Sequence, residues 1–210
     1  FQALQSLSNV PALISNVAQR RRSLPALTLL LSYCCAAPLA VWSAPEAFEV
    51  GPDNTDPLPR GKEADGIIGD FILRNNKVEA VISGNLPLRR ANMSTFYGAS
   101  GITPGCLYDL TLRGANNDQI TIFSPQGQTG PVSYVRVSKD GSEGEAVVET
   151  VVSAASNNGL FRRHEYRLRD DSQGILVTTT LRNDGKKPVK VPTSDRWTNF
   201  TRTGALGGVH

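Results

Sequence analysis

From Gly66 onward apolar and polar residues alternate with a period of two, and polar or glycine-bearing clusters break the alternation at short intervals. Successive side chains of a strand point to opposite faces, so this pattern marks half-buried β-strands. Residues 70–74 and 77–83 alternate on either side of Asn75-Asn76, which tolerate positive φ, and this predicts a two-residue hairpin turn. Phe71 and Leu73 then share one face of the first strand, while Val78, Ala80 and Ile82 share one face of the second. Further strands are expected over residues 106–112, 119–123, 134–137, 145–152, 160–169, 174–182 and 189–191, with polar turns between them. No stretch between 66 and 192 carries a helical stripe of three turns. The expected class is all-β, an antiparallel β-sandwich over residues 66–195, incomplete if it is of the supersandwich kind. Its expected core includes Phe71, Leu73, Val78, Ile82, Leu110, Ile122, Val148, Tyr166, Leu168, Val177 and Leu181. Residues 45–65, with Pro45, Pro52, Pro57 and Pro59, read as an extended lead-in, and residues 98–105 as a glycine-rich loop.

Ahead of this domain the pattern changes. Arg20-Arg21-Arg22, an apolar run over 24–42 and small Ser43-Ala44 are the three parts of a secretory signal, so residues 20–44 read as a signal peptide. Val41 and Ser43 favour cleavage after Ser43; cleavage after Ala44 puts bulky Trp42 at the third position. An uncleaved anchor is the alternative, since the run is nearly long enough to span a bilayer. A lipid-modified Cys34 is a third reading, opposed by the bulk of Tyr33 before it. Residues 1–19 read as an upstream extension whose helical face, Phe1 to Ile14, is interrupted by Pro11. Residues 196–210 read as the start of a truncated continuation, with more protein expected beyond. The leader predicts a secreted, periplasmic or cell-surface location, with no membrane contact once it is removed.

The leader also accounts for the charge. The formal net charge of +3 equals its three arginines, and the rest of the chain is balanced, with 19 basic residues against 19 acidic ones. That balance removes the electrostatic case for nucleic acid or an anionic membrane. Two of the three cysteines lie in the leader, so Cys106 has no partner for an internal disulfide and is expected to be a buried small hydrophobe.

Candidate chemistry centres on the strand 160–169. Leu160, Arg162, His164, Tyr166 and Leu168 share one face, and the largely charged Phe161, Arg163, Glu165, Arg167 and Arg169 share the other. Arg162, His164 and Tyr166 are the candidate ligand-binding residues, against the plainer reading of a histidine satisfied at a sheet edge or in the core. No metal site is expected, because one interior histidine without an HxH or HxxxH spacing supplies too few nitrogen ligands. Glu63, Asp65 and Asp70 cluster ahead of a strand, where carboxylates are usually solvated. Asp53-Asn54-Thr55-Asp56 is rich in oxygen ligands but lacks the downstream glutamate of a calcium loop. There is no GxSxG elbow, phosphate loop or dinucleotide fingerprint. Asn92-Met93-Ser94 and Asn199-Phe200-Thr201 are acceptor sequons. Phe96, Tyr97, Tyr108, Trp197 and Phe200 could stack on sugar, although alternation places Tyr108 with Cys106 and Leu110 in a core.

Two stretches resemble known families. Pro59-Arg60-Gly61-Lys62-Glu63-Ala64-Asp65-Gly66, continuing into Gly69-Asp70-Phe71-Ile72-Leu73-Arg74-Asn75-Asn76-Lys77-Val78, then Ala91-Asn92-Met93 and Gly105-Cys106-Leu107-Tyr108-Asp109-Leu110-Thr111, is similar to the amino-terminal region of large secreted bacterial, planctomycete-like proteins of the CehA/McbA group. Those proteins carry a PHP-type metallohydrolase domain further downstream. The resemblance implies an accessory, non-catalytic β domain whose partner is a downstream domain of the same chain. None of the PHP metal ligands maps onto this sequence, so no cofactor is implied within it. His164-Glu165-Tyr166-Arg167-Leu168, followed by Leu176-Val177-Thr178-Thr179-Thr180-Leu181-Arg182-Asn183, resembles the strand pair of galactose-mutarotase-like β-supersandwiches. That resemblance implies carbohydrate as partner. A purely structural cell-surface domain is the third reading.

Overall fold

Ten strands in two antiparallel sheets form the computed structural model, which describes residues 44–55, 57–61, 64–91, 101–118, 120–191 and 193–199. The upstream extension, the leader up to residue 43 and the last eleven residues of the chain lie outside the described residues. The first sheet has the order β1-β2-β3-β4-β5-β10, from β1 (Glu46–Glu49), β2 (Phe71–Arg74), β3 (Val78–Ile82), β4 (Leu107–Leu112), β5 (Ile120–Ser124) and β10 (Arg196–Asn199). The second has the order β6-β7-β8-β9, from β6 (Tyr134–Asp140), β7 (Glu145–Val152), β8 (Leu160–Arg169) and β9 (Leu176–Asn183).

The alternation in the sequence becomes the layering of the fold. Phe71 and Leu73 of β2, Val78, Ala80 and Ile82 of β3 and Leu107 of β4 meet Ala146 and Val148 of β7 and Tyr166 and Leu168 of β8 in one buried cluster. That is the filling of a sandwich. The other face of the first sheet is covered by the chain's own lead-in, where Val50 buries Ile72 and Val81 with help from Phe48 and Leu58. The outer face of the second sheet is wet and ionic. Glu149 pairs with Arg136 at 2.6 Å, Glu165 with Arg167 at 2.9 Å, and Glu145 with Lys139 at 2.6 Å.

Several expectations need correcting. Residues 46–49 are not part of an extended lead-in; they are the edge strand β1, in register with β2 from Glu46↔Arg74 to Glu49↔Phe71. A four-residue strand between prolines is too short to show a period, yet it satisfies the open edge of β2. Residues 196–199 likewise belong to the first sheet, where β10 pairs with β5. Residues 189–191 form no strand. The turn at Asn75-Asn76 does not use positive φ at either asparagine. Instead Asn75 is buried, and its Oδ1 accepts from the backbone N–H of Lys77 (2.8 Å) and Val78 (2.9 Å). Its Nδ2 donates to the carbonyls of Arg169 (2.8 Å) and Ser172 (2.9 Å), stitching the β2–β3 turn to the β8–β9 turn. Within the expected core, Leu110 and Val177 pack at its margin and Leu181 is half-buried; the other eight residues are buried.

Candidate functional site

The structure brings Arg162, His164 and Tyr166 onto one face of β8, as alternation requires, and turns that face inward between the sheets. The consequences differ along the strand. Tyr166, in register with Val148 and Val177, is fully buried, and its hydroxyl donates to the Gly105 carbonyl at 2.9 Å. Burial holds its pKa well above the phenol value. Tyr166 is therefore a core residue and not a ligand group on an open sheet face. Of the three candidate ligand-binding residues, Tyr166 and His164 are fully buried and Arg162 is half-buried.

His164 is also fully buried. Its register partners are Thr150 on β7 and Thr179 on β9, and its Nδ1 lies 2.9 Å from Thr179 Oγ1. Its Nε2 is buried with no hydrogen-bond partner. Burial, reinforced by the positive charge of Arg162 and opposed by Asp195, lowers its pKa to about 4, so the ring is neutral at pH 7. Arg162 is half-buried, donates from Nη1 to Gln128 Oε1, and has a buried Nε without a partner.

One loop closes this end of the sandwich. Gly105 lies against β7, where a Cβ would come within 2.3 Å of Thr150 Cγ2, and its φ is +73°. Only glycine fits both constraints without strain. Its carbonyl accepts from Thr150 Oγ1 (3.1 Å) as well as from Tyr166. Next to it Cys106 is fully buried, with its thiol 3.7 Å from the Gln128 carbonyl and its pKa pushed by burial up to about 12. A thiol so held is not a nucleophile at neutral pH.

A second polar centre escaped the sequence reading. Asp65 and Asp70, expected to be solvated, are buried, while Glu63 lies outside the described residues. Asp70 accepts from the N–H groups of Ile67 (3.0 Å) and Gly84 (2.8 Å) and from Arg89 Nε (3.2 Å). Arg89 also reaches the Asp65 and Arg90 carbonyls and stands 4.6 Å over the Tyr108 ring. Tyr108, capped by Thr103 at 2.7 Å, thus serves the core rather than a sugar surface. Nearby Asp109 accepts from the N–H groups of Asp65 (2.9 Å) and Gly66 (3.1 Å), but burial outweighs them and raises its pKa to about 8. A cleft of about 280 Å³ lies above this centre, lined by residues 64–67 with Arg89 and Arg90.

The weaker candidates resolve simply. Asn54 of the oxygen-rich loop, exposed, spends its side chain on neighbouring backbone, accepting from Gly51 N–H and donating to the Glu49 carbonyl (3.2 Å), while Asp56 is outside the described residues. Phe96, Tyr97, Phe200 and the first sequon also fall outside them. Trp197 is 53% exposed on β10 and meets Phe123 edge-on at 5.3 Å. Among the described residues no group of three or more His, Cys, Asp or Glu side chains is placed to hold a metal ion, and no helix is long and apolar enough to cross a membrane. In comparison with known proteins, no family model, curated protein or solved structure matches the chain.

Proposed function

We propose that this β-sandwich is a non-catalytic accessory module of a larger secreted, PHP-type metal-dependent hydrolase, positioning or shielding a downstream domain of its own chain. One observation supports the non-catalytic part. The side chains best suited to attack or proton transfer, Cys106, His164, Tyr108 and Tyr166, are all buried, and each is pinned by a neighbour. Burial raises the Cys106 and Tyr166 pKa values and lowers that of His164, so none of these four is poised near neutrality. Asp109, raised to about 8, is fully buried with both oxygens accepting from the backbone N–H groups of Asp65 and Gly66. The PHP association rests on the resemblance of residues 57–113, and export rests on residues 20–44. The test has two arms. The reading frame past His210 should encode histidine- and carboxylate-rich metal ligands, and the 210-residue chain should turn over neither phosphoesters nor glycosides. Stoichiometric zinc in that chain, or turnover abolished by His164→Ala, overturns the proposal.

A further inference from the structure

We propose that Arg162 and His164 form an oxoanion site on the inward face of β8, beside the edge strand β9, taking a carboxylate or a sulfate-type group. The inference goes beyond the accessory-module reading and does not depend on it. Its first support is an unanswered charge. A half-buried guanidinium is normally met by a carboxylate, since its desolvation is otherwise uncompensated. Among the described residues Arg162 meets only the neutral Gln128 amide, and its Nε is buried without a partner.

The second support is independent. His164 is fully buried, Thr179 accounts for its Nδ1, and its Nε2 has no partner. Buried side-chain polar atoms are rarely left so. Here two of them sit two residues apart on one face of β8. That spacing is roughly 7 Å along a strand, about the reach of one oxoanion accepting a hydrogen bond of about 2.8 Å from each side. The neutral ring can present Nε2–H to such an acceptor. The shortest route to these buried atoms passes β9, the outermost strand of its sheet, whose Thr179 and Leu181, beside His164 and Arg162, are only half-buried.

One carboxylate counts against an anion. Asp195 raises the His164 pKa through its field, but it is exposed and its Oδ1 accepts from Gln126 N–H at 2.9 Å, which holds it on the loop before β5's partner strand. The ligand's source is either a free inorganic anion or the carboxylate of an acidic sugar; the chemistry is the same.

The test titrates the protein with sodium sulfate and with sodium glucuronate, against sodium chloride at matched ionic strength, reading the His164 Nε2 resonance by NMR. A saturable shift is expected with sulfate or glucuronate and not with chloride. Tighter glucuronate binding identifies the acidic-sugar source; equal or tighter sulfate binding identifies an inorganic anion. Arg162→Met should weaken binding by about tenfold or more, the loss of one charged hydrogen bond, and Asp195→Asn should tighten it. Arg162→Lys, which keeps the charge, should retain binding at reduced affinity. General stabilisation by sulfate leaves that resonance unmoved. No shift with either oxoanion, or a shift unchanged in both Arg162 variants, overturns the site.

Discussion

Arg89 and Arg162 are both drawn into the body of the sandwich, and they are answered in opposite ways. Arg89 faces Asp70, whose two oxygens also accept backbone N–H groups, and its remaining donors go to the Asp65 and Arg90 carbonyls. The Tyr108 ring covers it. Arg162 faces one neutral amide and leaves a buried Nε bare. A buried pair with every lone pair occupied holds loops in place; a buried cation without a counter-charge only costs solvation. The Arg89 centre therefore reads as structural, tying residues 65–70, 84 and 89 together over the first sheet. The Arg162 end reads as a place that a ligand completes.

The largest expected effect breaks the answered pair. Asp70→Asn leaves Arg89 without its counter-charge and should destabilise the domain by roughly 3–5 kcal/mol in urea denaturation at pH 7. A loss under about 1 kcal/mol would mean that the Asp70 network is ornamental, and the contrast with Arg162 would collapse.

A second effect sharpens the other side. His164 has its pKa lowered to about 4 by burial, from 6.5 in the unfolded chain. The unfolded state therefore binds more protons between those values. Its contribution is complete above pH 6.5 and is lost as pH falls toward 4, on the order of 3 kcal/mol in all. Asp109, raised to about 8, acts with the opposite sign over its own window. Both effects are present in wild type, so the difference between wild type and His164→Gln isolates the histidine. That stability difference should shrink as pH falls from 6.5 to 4. A difference independent of pH would show that His164 is not buried as a neutral ring.

Much of this was legible in the sequence, for a physical reason. Where a strand has one wet and one dry face, as β8 does, period two fixes which side chains share a face, and Arg162, His164 and Tyr166 fall together. What period two does not say is which face is covered, or by what. Two separate loops, one carrying Gly105 between β3 and β4 and one carrying Gln128 between β5 and β6, decide that Tyr166 is sealed and Arg162 is not. The Asp70–Arg89 pair was hidden for a different reason. Its members are 19 residues apart, and Asp65 and Asp109 are 44 apart, so tertiary contact alone reveals that these acids are dry. Short β1 and β10 carry too few residues for any period, whereas residues 189–191 alternate without an edge to pair with.

The most direct test places the two arginines side by side. Arg89→Met and Arg162→Met are compared by urea denaturation at pH 7 in chloride buffer without added oxoanion. Arg89→Met should cost roughly 3–5 kcal/mol, because Asp70 is left buried and unpaired. Arg162→Met should cost no more than about 1–2 kcal/mol, the penalty of leaving Gln128 Oε1 unsatisfied, and a gain in stability fits equally. Equal and large losses for the two variants would contradict the account, since Arg162 would then have a counter-charge that the fold supplies itself.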